Sequence, residues 1–445
     1  MKLIIVFFGL VTILPLMARV MAAPEYRKFV WRGYGLLAFA YSAIPQFGIS
    51  VISWEGYTGH TKGIEVTILD LVTLGILLAR SKSQPRASTP FRLPMSLFGL
   101  AALFSVMISE VPMASLFFVW QILRMYIIFL AVARMCESNE NQRDLFIGFA
   151  AGIIVELFMV LSQKFLSGAV QPHGTFAHQN TLGMIINMIS LVMFGLFLRV
   201  PQPKIITVAL PAAIFTSALT ASRASLGLAL IGWGLNIVAG IARKPNPRTL
   251  AIAAGAIVLL IPVSFVGYTT FQSRLASQEA AGGGDGTYDE RKAYIDAAKM
   301  IIDDYPLGIG ANRFVIVANS QGYYDRAEIT ATFGSRSGHV HNLYWLTWAE
   351  MGPQGLAALL FLLASPMFYA FRLGWKHFAT EEGGTLRALA IALLITYVHS
   401  WYEWILITAD PQYFLAILFG LVASNGLRLS KDKRQPSTGA PRGRP

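Results

Sequence analysis

The stretch at residues 181–198, TLGMIINMISLVMFGLFL, contains no charged side chain and decides the class of this fold. A helix that crosses the hydrocarbon core of a bilayer needs about 20 mainly apolar residues, so this stretch is almost a complete span. Over the 445 residues, apolar side chains make up 55% and charged side chains only 13%. Soluble domains carry about 25% charged residues. The composition therefore predicts an integral membrane protein and excludes a soluble globule.

Apolar stretches of this kind recur along the whole chain. They predict an all-α, polytopic membrane protein with about 12–13 transmembrane helices and one large structured periplasmic loop. In the first stretch, Lys2 and the apolar run after it resemble a signal peptide with a cleavage site at Ala22 and Ala23, but a retained helix is favoured. The stretches are 3–18, 33–53, 64–79, 93–109, 113–133, 145–163, 181–198, 205–221, 225–241, 249–268, 350–371, 386–404 and 411–426.

Basic residues are concentrated in alternate loops. Because Lys and Arg accumulate in cytoplasmic loops, the alternation predicts a cytoplasmic carboxyl terminus, with 427–445 as a basic and disordered tail. The net charge of +12 is then mostly a topology signal and a contact with anionic membrane lipid, so no nucleic-acid partner is expected. The single cysteine, Cys136, excludes an intramolecular disulfide and a metal site built on several cysteines.

One long segment interrupts the short loops. We expect ten transmembrane helices in 1–268, a periplasmic loop in 269–349 and the carboxyl-terminal helices in 350–426. The loop opens with the flexible sequence AAGGGDG at 280–286. The following YDERKAYIDAAKMIID at 288–303 has helical apolar spacing, which indicates an amphipathic helix on the membrane surface or against the bundle. Long structured loops of this kind are usually functional.

The sequence SGHVHNLY at 337–344 holds the sharpest group of ionisable residues. A histidine titrates near neutral pH and can act as a general base, so His339 and His341 are candidates. An HxH pair also suits a metal, but neither a cysteine nor an obvious carboxylate stands nearby in the sequence. A third interpretation is two surface histidines at the headgroup layer.

Arginines supply candidate sites for an anionic ligand. Arg223 lies in the turn TASRAS at 220–225, where it either binds an anion or extends to the lipid headgroups. Arg291 on the loop helix makes a diphosphate clamp with Arg223 geometrically possible, and Arg313 and Arg336 are further candidates. Arg124 lies deep in an apolar stretch, where it needs a partner in the bundle interior.

Four stretches in this order resemble the bacterial O-antigen ligase and polymerase superfamily. They are HGTFAHQNTLG (173–183), TASRAS (220–225), RKAYIDAAKMIIDDYPLGIGANRF (291–314) and HVHNLYWLTWAEMGPQGL (339–356). The resemblance implies a glycosyltransferase of the bacterial inner membrane that acts in surface polysaccharide assembly. Such an enzyme transfers a glycan from undecaprenyl diphosphate to an acceptor hydroxyl on the periplasmic face, without a cofactor, a metal or a nucleotide sugar.

The resemblance also assigns roles to residues. His341 corresponds to the proposed general base, and Arg223 and Arg291 to the arginines that bind the diphosphate. Supporting roles are open for His339, Arg313, Asn342 and Asn180. The acceptor is lipid A-core in a ligase, the growing glycan in a polymerase, or a protein side chain in O-glycosylation. The competing hypothesis is a transporter or flippase for lipid-linked sugars. It is disfavoured because the charged candidates collect on one face and no repeat joins the two halves of the chain.

Overall fold

The protein is a bundle of long helices with a group of shorter helices, residues 286–326, packed on one end. We call this group the cap. A computed structural model describes residues 2–44, 48–79, 89–136, 138–242, 247–280, 286–329 and 335–432. The elements in these ranges are α1 (Lys2–Ala22), α2 (Pro24–Ala43), β1 (Gly48–Ser53), β2 (Gly63–Thr67), α3 (Ile68–Leu78), α4 (Arg92–Ile108), α5 (Pro112–Met135), α6 (Asn139–Leu161), α7 (Gln179–Arg199), α8 (Lys204–Leu219), α9 (Arg223–Ile241), α10 (Pro247–Ala280), α11 (Gly286–Asp304), α12 (Phe314–Ser320), α13 (Tyr323–Arg326), α14 (Leu343–Lys376), α15 (Glu381–His399) and α16 (Ala409–Asp432).

The helices confirm an all-α, multi-pass membrane protein. Among the described residues, eight helices are long and apolar enough to cross a membrane, and α3, α4 and α8 are shorter apolar helices. Helices α2 and α15 correspond to two further apolar stretches of the sequence. We call the end of the bundle that carries α11 the loop end. The tail was predicted at 427–445, but α16 continues to Asp432, and the residues from 433 onward, like the glycine-rich residues 281–285, lie outside the described residues.

The sequence predicted one membrane span over residues 33–53, and this prediction is wrong. Helix α2 ends at Ala43, and Ile44 is extended (φ −128°, ψ 88°), as expected for a residue that precedes a proline. Strands β1 and β2 then pair antiparallel, with Gly48 opposite Thr67 and a bulge between Ser50 and Ile52. The sequence analysis missed this hairpin because the apolar residues of β1 follow those of α2 so closely, with Pro45 between them, that both were assigned to one stretch. It covers part of the loop end.

Helix α7 forms the centre of the bundle and is buried along almost its whole length. It runs parallel to α9, since a side chain on Gly183 would meet Ser225 and one on Gly232 would meet Leu191. The amide of Asn187 donates to the carbonyl of Ser225 at 2.8 Å, which fixes the register of the two helices. Both helices therefore begin at the loop end, with their amino termini side by side.

Helix α11 packs against the bundle and builds a second hydrophobic core at the loop end. Four of its predicted apolar positions are buried there, together with residues of α12, α13 and α14. The buried positions of α11 are Tyr294, Ala297, Ala298 and Ile301. The boundaries predicted at 268 and 350 fall inside helices, because α10 continues to Ala280 and α14 begins at Leu343. A non-helical residue, Gly352 (φ 69°), bends α14 close to this boundary.

The segment after α11 is fixed to the bundle by close backbone contacts. Gly308 (φ 95°) lies where a side chain would meet the backbone of Glu350, so only glycine fits without strain. The carboxylate of Glu350 accepts from the backbone N–H groups of Asn312 and Phe314, each at 2.9 Å. The side-chain oxygen of Asn312 accepts from the backbone N–H of Thr61, and its amide nitrogen donates to the carbonyls of Thr61 and Ala114. The motif at 305–314 therefore attaches the cap to the hairpin and to α5.

Candidate active site

The candidate site is organised around the carboxylate of Glu403, in the short segment between α15 and α16. Its Oε2 lies 3.5 Å from Nδ1 of His341, and its Oε1 lies 3.6 Å from a guanidinium nitrogen of Arg291. The side-chain amide of Asn180, in the first turn of α7, donates to the same Oε1. One carboxylate thus joins the histidine before α14, the arginine of α11 and the start of α7. Only 3% of its side chain is exposed.

The backbone beside Glu403 holds the histidine segment in place. The carbonyl of Ser400 accepts from the N–H of Leu343 at 2.9 Å, and the indole N–H of Trp404 donates to the carbonyl of Val340 at 2.8 Å. Asn342 caps α14, since its Oδ1 accepts from two backbone N–H groups and its amide donates to the carbonyl of Trp401. These contacts fix the backbone on both sides of His341.

His341 has one ring edge directed to Glu403 and another directed outward. Its Nδ1 is buried, whereas 23% of the side chain is exposed, so the exposed atoms lie elsewhere on the ring. The ring stacks on the indole of Trp404 with centroids 4.8 Å apart. A carboxylate behind Nδ1 leaves Nε2 to accept a proton from a substrate, which is the arrangement of a general base.

His339 lies in a different environment, although it is only two residues away. It is 5% exposed, stacks near Phe314 and meets the ring of Trp404 edge-on. Burial lowers the pKa of its imidazole well below the ordinary value, and the neighbouring His60 and His341 act in the same direction. His339 therefore fills the second core as a neutral ring.

The loop at 171–178 is clamped onto the end of α6. The buried carboxylate of Glu156 accepts from the backbone N–H and hydroxyl of Thr175, and a side chain on Gly174 (φ 62°) would collide with that carboxylate. His178 caps α7, since its Nδ1 accepts from the N–H of Asn180. Burial lowers the pKa of His178, against the opposing effect of Glu403. The loop therefore places Asn180 at the carboxylate.

The two arginines predicted to bind a diphosphate lie at the same end of the bundle. Arg223 is exposed at the first position of α9, with its guanidinium 5.2 Å from the ring centre of Phe271. Ser225 packs on Gly183, one turn along α7 from Asn180, which bonds Glu403. The start of α9 is thus connected through α7 to the carboxylate that contacts Arg291.

Arg274 joins the Arg223 turn to the loop before α7. Its guanidinium donates to the carbonyl of Ala221 at 3.0 Å and lies 3.0 Å from the side-chain amide of Gln171. These two contacts of Arg274 position the turn that holds Arg223 relative to the 171–178 loop.

The other predicted arginines have partners of their own. Arg313 is buried and pairs with Glu110 at 2.7 Å, while Arg336 pairs with Asp325 near the surface. Arg124 has the partner that its depth required, because its Nε lies 3.1 Å from a carboxylate oxygen of Asp70.

Sequence reasoning missed Glu403, and with it the carboxylate that it judged absent beside the histidines. The residue lies at the end of the apolar stretch 386–404, where ionisable side chains are costly and usually functional. That rule would have singled it out together with His399. Burial by itself would raise the pKa of Glu403, but its interactions with His341, with the amide of Asn180 and with His178 outweigh burial and hold that pKa below the ordinary value. The carboxylate is therefore ionised at neutral pH.

Within the described residues, no group of three or more His, Cys, Asp and Glu side chains is arranged to hold a metal ion. Comparison with known families shows that the O-antigen ligase family matches residues 206–360. This match confirms the resemblance inferred from the sequence motifs. The matched segment contains Arg223, Arg291 and His341, while Asn180 and Glu403 lie outside it. No protein of curated function matches the chain in sequence.

Proposed function

We propose that the chain is a lipid-linked glycan transferase of surface polysaccharide assembly, because residues 206–360 match the O-antigen ligase family. The donor is a glycan on undecaprenyl diphosphate, and the acceptor is a hydroxyl of lipid A-core or of a growing glycan. The reaction takes place at the loop end, which we assign to the periplasmic face of the bacterial inner membrane.

The observation that carries this proposal is the bridge made by Glu403. Its two oxygens contact a histidine that suits a general base and an arginine that suits an oxyanion. Transfer from a lipid diphosphate needs these two functions within reach of one another, because the acceptor loses a proton as the diphosphate leaves. The same carboxylate positions both side chains.

The reaction follows from this arrangement in one displacement. Nε2 of His341 takes the proton from the acceptor hydroxyl as its oxygen forms the new bond to the anomeric carbon. The bond between that carbon and the diphosphate oxygen breaks, and its electron pair leaves with undecaprenyl diphosphate. The imidazolium is stabilised by the ionised Glu403 and later returns its proton to solvent. Attack opposite the leaving group inverts the anomeric centre.

Arg223 and Arg291 bind the departing diphosphate in this proposal. A guanidinium presents a planar fork of donors that matches phosphate oxygens. Arg223 also stands at the amino terminus of α9, where the helix dipole adds positive potential. Donors placed where charge develops contribute about 10²–10³-fold each in comparable sites.

The surroundings of the two histidines support His341 as the base. His341 is partly exposed and faces a carboxylate, whereas His339 is buried among aromatic rings. A base must reach the substrate, and a buried neutral imidazole without a carboxylate partner is poorly placed to do so.

Complementation tests the proposal in cells. A host that lacks its own ligase or polymerase receives the wild type, His341→Ala, Arg223→Ala or Arg291→Ala, and its surface glycan is compared on gels. We expect the wild type to restore the glycan and each variant to lose it, with His339→Phe as the matched control that retains it.

Membrane levels of each variant distinguish a lost function from a lost protein. A missing ladder on lipid A-core identifies a ligase, and a ladder reduced to single repeats identifies a polymerase. Full activity of His341→Ala at normal membrane level would remove the proposed base and the mechanism with it.

A further inference from the structure

A polar cavity enters the bundle beside the hairpin and separately from the Glu403 cluster. Its volume is about 320 Å³, within the range of small-molecule sites. We call it the hairpin cavity, and its walls come from the hairpin, from α5 and from the start of α16. Arg124, on its wall, lies about 18 Å along α5 from Pro112 at 1.5 Å per residue, so the cavity reaches well into the bundle.

Two buried polar groups on its wall lack partners among the described residues. Nη2 of Arg124 has no hydrogen-bond partner, although the residue is 3% exposed and its Nε is paired with Asp70. The hydroxyl of Thr408 is also buried without a partner. Unsatisfied donors of this kind are costly, and both side chains belong to residues that line the cavity.

The charges on the wall indicate the class of ligand. Arg124 and Lys62 supply positive charge, and Glu65 and Asp410 supply negative charge, so the wall favours neither an anion nor a cation. Side-chain hydroxyl groups, such as that of Ser50, and the side-chain amide of Gln121 also line the cavity. A sugar ring without charge is a ligand whose hydroxyls both donate and accept, as this mixed wall requires.

The position of the cavity relates it to the proposed reaction. Trp404 stacks on His341, and its ring also lies 5.7 Å from the ring of His60, which lines the cavity. A single aromatic side chain therefore connects the cavity to the base. Neither Arg223 nor Arg291 lines the cavity. In an inverting displacement the acceptor approaches opposite the diphosphate, so a cavity apart from these arginines belongs to the acceptor.

We propose that the hairpin cavity binds an uncharged sugar unit of the acceptor glycan, adjacent to the unit whose hydroxyl His341 deprotonates. This inference rests on the proposed function and adds a second acceptor contact to it. Arg124 and Thr408 donate to the sugar hydroxyls, and Glu65 and Asp410 accept from them. Specificity for the acceptor then depends on the hairpin, which lies outside the segment that matches the family.

Binding of oligosaccharides to the full chain in nanodiscs tests this site without requiring catalysis. The probes are the core oligosaccharide released from the host's lipopolysaccharide and the oligosaccharide of one glycan repeat, each followed by saturation-transfer NMR. Ser50→Trp fills the cavity and should weaken binding of the recognised probe at least ~10-fold. Thr408→Val keeps the shape and should weaken it about 3- to 10-fold, as expected for one lost hydrogen bond.

Ile52→Trp is the matched control, because it adds the same ring to the same strand at an exposed residue outside the cavity. It should bind the probe within about twofold of the wild type. Two results would reject the binding role of the hairpin cavity and leave the proposed function intact. One is equal probe binding by Ser50→Trp and Ile52→Trp. The other is a wild type that transfers glycan but binds neither probe. Cavity-dependent binding by a wild type that transfers no glycan would support the cavity and remove the proposed function.

Discussion

Replacing Glu403 with glutamine is the change that tests the catalytic arrangement most specifically. Gln has nearly the same size as Glu, and its carbonyl oxygen can still accept from Asn180. The substitution removes the negative charge that faces His341 and Arg291, and it places an N–H donor where the second carboxylate oxygen faced Nδ1 of His341. The fold should therefore persist while the base loses its counter-charge.

The expected loss follows from the geometry of the pair. Two unit charges 3.5 Å apart attract by about 5 kcal/mol at an effective dielectric constant of about 20. His341 is partly exposed, and the amide of the Glu403→Gln variant keeps the hydrogen bond to Asn180, so we expect the variant to lose about half of that energy. A loss of about 2–3 kcal/mol in transition-state stabilisation corresponds to a rate about 30- to 150-fold lower.

The assay is the initial rate of glycan transfer by purified protein, measured over a range of pH. The lower rate should be accompanied by a shift of the acidic limb of the pH–rate profile to lower pH, because the protonated base has lost its carboxylate. A merely structural role for Glu403 would lower the rate without moving this limb.

The control is Asp325→Asn, which removes a carboxylate from the exposed ion pair with Arg336. Exposed pairs contribute little, so its rate should stay within about twofold of the wild type. A rate for Glu403→Gln equal to that of Asp325→Asn would refute the role of the carboxylate.

Four further outcomes are expected. Arg291→Lys should lower kcat/KM for the lipid donor about 10- to 100-fold, since an ammonium lacks the planar fork, and unchanged donor kinetics would remove Arg291 from diphosphate binding. His339→Phe should keep transfer rates within about threefold, whereas a loss above ~100-fold would make His339 the base. Asn312→Ala loses three side-chain hydrogen bonds and should destabilise the protein by about 3 kcal/mol, seen as a lower melting temperature in detergent; an unchanged melting temperature would contradict the attachment of the cap. Because the pKa of Glu403 is lowered in the folded protein, this carboxylate contributes stability above about pH 4.3, the ordinary pKa of Glu, and that stability is lost as pH falls through the folded pKa. The melting temperature of the wild type should therefore fall more on acidification than that of Glu403→Gln.

Helices that follow from apolar length were predictable, and the hairpin was not. Each apolar stretch contains a helix, because lipid requires the backbone to satisfy its hydrogen bonds internally, although 33–53 and 64–79 also include strand residues. Residues 48–53 continue an apolar stretch, yet they form a strand. Their pairing with 63–67 satisfies the backbone outside a helix, and this depends on a partner segment that apolar length does not reveal.

Candidate residues for the site were predictable where a single residue type carried the signal. His341, Arg223 and Arg291 stood out as ionisable residues in a protein with few of them. Glu403 did not, because its role depends on how the segment between α15 and α16 closes on the segment before α14. The same limit applied to Arg124, whose partner Asp70 lies on another helix.

Proteoliposomes that contain the purified protein, a glycan on undecaprenyl diphosphate and the acceptor distinguish a transferase from a transporter. We expect the wild type to move the glycan to the acceptor and to release undecaprenyl diphosphate, and His341→Gln to do neither. Movement of the intact lipid-linked glycan across the bilayer, with no glycan transferred, would instead identify a transporter.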